Sequence, residues 1–186
     1  MKSLWVWLFK LFGWKIDGTV PEDVKKCVVV VGPHTSFWDF LVGVPARELL
    51  GFESKFFIKS SLCVGPLGWF LLKLGAIPVH RKKGNTRLVD LAIEEYNKRD
   101  ELIIAVTPEG TRSYNPKWRT GFYHIANGAK VPIVMAGMCF KTKRVVIGER
   151  FIPTGNVDDD IVRIKRFFYN FVGKHPEKGI RKEEIE

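Results

Sequence analysis

The sequence has no apolar run long enough to cross a bilayer. About 18 residues are needed, and the nearest approach, Leu4 to Trp14, is interrupted by Lys10. No A-x-A-like cleavage site follows, so this stretch does not read as a secretory signal and the chain is expected to stay on the cytoplasmic side. Cysteine is scarce: Cys27, Cys63 and Cys139, each in apolar surroundings. An odd, irregularly spaced set supplies neither a disulfide framework nor a zinc pattern. The three read as buried small hydrophobes in a reducing compartment. Acidic residues are outnumbered by basic ones, 20 against 30, for a net charge of +10. That field favours phosphate groups, acidic membrane surfaces, acidic proteins or nucleic acid, and does not choose among them. There is no internal repeat and no linker, so 186 residues suit one domain with a full core. A hydrophobic fraction of 46% and an aromatic fraction of 13% exclude a disordered chain.

The first 14 residues, MKSLWVWLFKLFGW, crowd five aromatic residues together with lysines. Trp favours the membrane interface and Lys favours anionic lipid. Residues 1–15 therefore read as an interfacial helix lying on a membrane rather than spanning it, or as a helix packed on the domain. Residues 16–26 read as a polar connector. Cys27 to Val31 is a continuous apolar run, suited to a strand buried on both faces of a parallel sheet. A helix is expected from about Ser36 to Leu50, kinked or divided at Pro45. Strands are expected at Lys55–Lys59, Gly75–Arg81, Leu102–Val106, Val131–Met138 and Val145–Ile147. Between them, Ser60–Leu74 reads as a broken helix, Asn85–Arg99 as a helix capped by Asn85 or Thr86, and Phe122–Ala129 as a short helix. Val157–Val172 reads as the last helix, with Asp158, Asp159 and Asp160 at its positive end. Residues 173–186 read as a charged, frayed tail. The expected fold is a single α/β domain over 16–172, with a mixed, largely parallel sheet flanked by helices.

In such sheets ligands sit beyond the carboxyl ends of the strands. Three loops are expected there. The first carries His34 and Asp39. Five positions on a continuous helix would turn the two side chains apart by about 500°, so they meet only if His34 lies in the Gly32-Pro33 turn before the helix. A carboxylate on one ring nitrogen would fix the tautomer and suit the other for proton transfer. No G-x-S-x-G elbow surrounds Ser36, so no protein nucleophile accompanies this base. The substrate is then expected to bring the hydroxyl. A capping histidine with a surface aspartate is the plainer alternative. The second loop brings Arg81 beside Lys82 and Lys83, an anion clamp or a solvated basic edge. The third, Pro108-Glu109-Gly110-Thr111-Arg112-Ser113, offers a guanidinium fork, hydroxyls, a carboxylate and a glycine that admits close approach. Its alternative is a structural turn with an internal Glu–Arg pair.

Together these residues resemble the glycerolipid acyltransferase family. His34 and Asp39 match its H-x4-D motif, Gly75 to Arg81 its G-x-I-P-type strand ending in Arg, and Pro108 to Ser113 its P-E-G-T-R-S motif. Val131 to Val134 match its V-P-I-V segment, but Met135 stands where proline is usual. Arg119 stands two before Gly121, where lysine is commoner. The resemblance spans about residues 25–150. It implies transfer of a fatty acyl group from acyl-CoA or acyl-carrier protein to the free hydroxyl of lysophosphatidic acid, giving phosphatidic acid in phospholipid biosynthesis. It implies His34 as base oriented by Asp39, and Arg81 and Arg112 on the acceptor phosphate with Lys59 as a further cation. Glu109, Gly110 and Thr111 would shape the acceptor site, and Leu62 to Leu74 would line the acyl slot or belong to the core. No metal or bound cofactor is implied, and an anionic membrane surface is the implied partner. Another lysolipid acceptor, hydrolysis by water, and a non-catalytic lipid- or nucleic-acid-binding protein are the competing readings. The intact His34–Asp39 pair argues against the last.

Overall fold

The computed structural model describes residues 4–21, 23–79 and 86–186. In chain order the elements are α1 (Leu4–Leu11), β1 (Lys15–Asp17), β2 (Lys26–Gly32), α2 (Trp38–Leu49), β3 (Ser54–Lys59), α3 (Gly65–Lys73), β4 (Ala76–Val79), α4 (Thr86–Lys98), β5 (Leu102–Val106), α5 (Gly121–Ala129), β6 (Ile133–Cys139), β7 (Arg144–Phe151) and α6 (Val157–Tyr169). The strands form one sheet in the order β1-β7-β6-β2-β5-β3-β4. From β6 to β4 every pairing is parallel. β7 runs antiparallel to β6, and β1 lies parallel to β7 at the edge. The sheet is thus mixed and largely parallel, in a single α/β domain.

The hydrophobic pattern explains the order. β2 and β5 are continuous apolar runs because both of their faces are covered; Cys27, Val28, Val30 and Ile104 are fully buried. Alternate residues of β2 feed two separate cores. Val28 and Val30 pack with Tyr96 of α4, Phe122 and Ile125 of α5, and Ile164 and Phe168 of α6. Cys27 and Val29 pack with Phe9 of α1 and with Val42 and Ala46 of α2. The two steps β2–α2–β3 and β3–α3–β4 move the same way across the sheet. Right-handed crossovers therefore put α3 on the same face as α2. Arg47 of α2 confirms the neighbourhood, donating to the Leu74 carbonyl just after α3 at 2.7 Å. The front layer is α1, α2 and α3; the back layer is α4, α5 and α6.

Three expectations are corrected. Residues 16–26 are not all connector. Lys15–Asp17 forms β1, paired with Arg144–Val146 and held by an Arg144–Asp17 ion pair at 2.6 Å. Three residues with one apolar side chain show no periodicity to read. Pro45 does not divide α2, which continues from Trp38 to Leu49 with Pro45 buried between Val42 and Ala46. Packing of that face offsets the lost helical hydrogen bond, a cost of about 3 kcal/mol. The tail does not fray. Glu184 pairs with buried Lys165 at 2.7 Å and accepts from the Tyr114 hydroxyl at 3.1 Å, and Ile180 packs against the back core. Its charges read as solvated in sequence, yet one of them has a buried partner 19 residues away on α6.

Candidate active site

β2 delivers its chain to the carboxyl edge of the sheet at Gly32. The Gly32–Pro33 bond is cis, and His34 follows outside any helix. Asp39 sits in the first turn of α2, where a negative charge suits the helix dipole. Its Oδ2 lies 3.0 Å from His34 Nδ1 and also accepts the Thr35 and Ser36 amides at 2.8 and 2.9 Å. One carboxylate oxygen thus gathers the whole turn around it. Because that oxygen is an acceptor, the ring proton belongs on Nδ1, and Nε2 keeps its lone pair. Asp39 is buried, while the His34 side chain keeps 23% of its surface open. The geometry makes His34 a ring fixed on one nitrogen and accessible on the other.

Glu109 follows β5, the neighbour of β2. Its Oε1 accepts the His34 main-chain N–H at 3.0 Å. The side chain is buried, and burial, the leading cause, pushes its carboxyl above the usual Glu range, partly offset by that amide hydrogen bond. Glu109 Oε2 and Asp39 Oδ1 are both buried without a hydrogen-bond partner among the described residues. Glu109 thus holds the histidine loop through one oxygen, a contact across 75 residues that no spacing could reveal.

Gly110 has φ +65°, a conformation that favours glycine. A Cβ there would lie 2.7 Å from Arg119 Nε. The close approach that Gly110 permits is therefore made by Arg119, whose amide also donates to the Pro108 carbonyl at 2.8 Å. Motif matching singled out Arg119 but did not place it; the glycine two residues after Pro108 is the signal that something crosses there. Thr111 Oγ1 accepts the Ser113 amide at 3.2 Å and so belongs to the turn itself. Arg112 is exposed and has no hydrogen bond or ion pair among the described residues. Lys59 is exposed at the carboxyl end of β3, in register with Val79. Arg81 lies two residues beyond Val79, outside the described residues, as do Lys82, Lys83 and the helix-cap candidate Asn85. The stretch from Leu62 to Leu74 divides between surface and core. Leu62, Leu67 and Trp69 are exposed, and only Gly68 and Leu71 of α3 are buried.

The fold and site together define an α/β domain that presents a carboxylate-oriented imidazole at the carboxyl end of a parallel sheet, with exposed Arg112 on the loop after β5. A family model described as Acyltransferase matches residues 15–138. The chain belongs to this acyltransferase family. It is 29% identical over 136 residues to the 1-acyl-sn-glycerol-3-phosphate acyltransferase of Haemophilus influenzae, an alignment covering 68% of this chain. It spans about half of that relative's length, 55%. The crystal structure of the 1-acyl-sn-glycerophosphate acyltransferase PlsC from Thermotoga maritima shares the fold. The TM-score is 0.63 at 19% identity, over 90% of this chain and 74% of the other.

Proposed function

We propose that this protein transfers a fatty acyl group from a thioester donor, acyl-CoA or acyl-carrier protein, to the free hydroxyl of lysophosphatidic acid, giving phosphatidic acid. The observation that carries the reading is the His34–Asp39 pair, 3.0 Å apart with Nε2 left free at the sheet's carboxyl edge. His34 Nε2 takes the proton of the acceptor hydroxyl. The alkoxide oxygen attacks the thioester carbonyl carbon, and the tetrahedral oxyanion collapses with cleavage of the C–S bond. The thiolate leaves, and the proton on the imidazolium passes to it or to solvent. Asp39 stabilises the imidazolium in between. Thiolate is a good leaving group, so no strong general acid is required.

Arg112 and Arg81 hold the acceptor phosphate, with Lys59 adding positive charge; that Arg112 has no partner among the described residues supports this role. Glu109 positions His34 through its amide, and Gly110 and Thr111 shape the loop that presents Arg112. The protein works as a peripheral or monotopic protein on the cytoplasmic face of an anionic membrane, where lysolipid and product reside. Among the described residues no helix is long and apolar enough to cross a membrane. In support, α1 buries Val6 and Phe9 against the domain and turns Leu4, Trp7 and Leu11 outward.

An acyl-transfer assay with purified protein tests this. Lysophosphatidic acid is supplied with acyl-CoA or acyl-carrier protein, and the lipid product is read by mass spectrometry. Wild type is expected to form phosphatidic acid, and His34→Ala to lose about 10²–10⁴ of the rate. Full transfer by His34→Ala would sink the mechanism. Product only with a different lysolipid would keep the chemistry and change the acceptor.

A further inference from the structure

We propose that α3 is a second membrane-binding element, which together with α1 and the head of α2 makes the whole front layer one bilayer-facing surface. The inference deepens the proposed function, since it rests on the reading that the substrate lies in a membrane; its evidence is separate.

Fifteen large hydrophobic side chains are exposed among the described residues, and twelve of them lie in or beside α1, α2 and α3. They are not scattered. Leu4, Trp7 and Leu11 run at helical spacing along α1, opposite buried Val6 and Phe9. Phe37 and Trp38, 60% and 55% exposed, stand at the start of α2, next to the His34 turn. Val64, Leu67 and Trp69 stand on or just before α3 at 71%, 59% and 65% exposure. An ordinary soluble domain does not gather such residues on one face of its sheet.

Charge selects the occupant. Neither α1 nor α3 contains an acidic residue, and of the two in α2, Asp39 is buried in the His34 turn while exposed Glu48 stands at the opposite end of the helix, near Arg47. The exposed charges on or flanking α1 and α3 are cationic: Lys10, Lys59 and Lys73. Lys73 Nζ sits 5.3 Å over the Trp69 ring. Tryptophan capped by an ammonium, above an apolar stripe on a helix without an acidic residue, suits the boundary between acyl chains and anionic headgroups. The α3 stripe is nine residues long, so it lies in the interface and does not penetrate further. With α1 over β6 and β7 and α3 beside β4, the two helices lie towards opposite ends of the same sheet face, and α2, whose head follows the His34 turn, packs beside α1.

The test is co-sedimentation of the full chain with vesicles of equimolar phosphatidylcholine and phosphatidylglycerol, with no lysolipid or acyl donor present. The double variant Leu67→Glu/Trp69→Glu is expected to bind about tenfold or more weakly than wild type. Leu91→Glu, on exposed α4 of the back layer, is expected to bind as wild type does. A Trp69→Phe protein guards against misfolding of the double variant. Vesicles with brominated acyl chains should quench wild-type fluorescence more than that of Trp69→Phe. Undiminished binding by the α3 double variant, or equal quenching of the two proteins, overturns the proposal. So does a wild-type dimer in gel filtration that the α3 variant dissolves, which would assign the face to a second copy. Capture of acyl-carrier protein by this face without lipid overturns it too. Because the vesicles hold no substrate, lost binding with intact acyl transfer, or the reverse, separates this inference from the reaction.

Discussion

The two helical layers cover the same sheet and obey different rules. In the back layer, α6 carries Asp158, Asp159, Arg163 and Arg166 on the outside and turns Ile164 and Phe168 into the core. Its buried polar groups are spent on one another: the Tyr123 hydroxyl donates to Asp160 at 2.8 Å, and Lys165 holds the Pro116 carbonyl and Glu184. In the front layer, α1 and α3 bury a narrow stripe and leave leucine and tryptophan outside. Water is the solvent for one face. If α3 binds membrane as proposed, the other meets a solvent that does not penalise an apolar surface. Similar helices on one sheet thus differ in what they leave outside, charge in the back layer and leucine and tryptophan in the front.

The back layer carries the largest expected loss. Phe168→Ala should cost about 3–5 kcal/mol in denaturant unfolding, since the ring is 1% exposed and packs edge-on to Trp118. A cost below about 1 kcal/mol would mean that α6 does not anchor the back core. Next comes the tail. Glu184→Ala leaves the Lys165 ammonium buried without its carboxylate and should cost about 3 kcal/mol. If instead the tail is dispensable, the melting temperature will not move.

A smaller effect tests the seam between the layers, at Glu109. Burial raises its carboxyl above the ordinary Glu value, so the folded state keeps a proton that the unfolded chain has already released. Stability is then full below about pH 4.3, the ordinary Glu value, and declines as pH rises toward the raised folded value. Glu109→Gln should flatten that decline, while its amide oxygen still accepts the His34 N–H. An unchanged slope in unfolding free energy against pH would show that Glu109 titrates normally. The smallest effect is expected on the front face, where Leu67→Glu should change unfolding free energy by no more than about 0.5 kcal/mol while vesicle binding falls. A large stability loss there would mean that the front layer is core after all.

The central strands were legible because β2 and β5 are unbroken β-branched and aliphatic runs, and burial on both faces leaves no other use for such a pattern. The His34–Asp39 contact was legible as well. Both partners lie within five residues, and helix geometry allows them to meet only with the histidine in the turn. The Glu109–His34 bond was not, since it depends on β5 being inserted beside β2 in the sheet. Nor was the reason for Gly110, because Arg119 reaches it from a later loop. β1 escaped for want of length, and the docked tail for want of any local sign that Glu184 has a buried partner.

By itself, then, the chain determined the parts whose physics is local: where the long apolar strands run, where the histidine turn falls, and which loop carries Arg112. Tertiary structure decided what depends on strand order. Right-handed crossovers place α2 and α3 on one face with α1, and α4, α5 and α6 on the other. Only after that sorting do apolar residues scattered between positions 4 and 72 come to lie on one side of the sheet. Hydrophobicity is written residue by residue, whereas the side of a sheet on which a residue emerges is a property of the whole path of the chain.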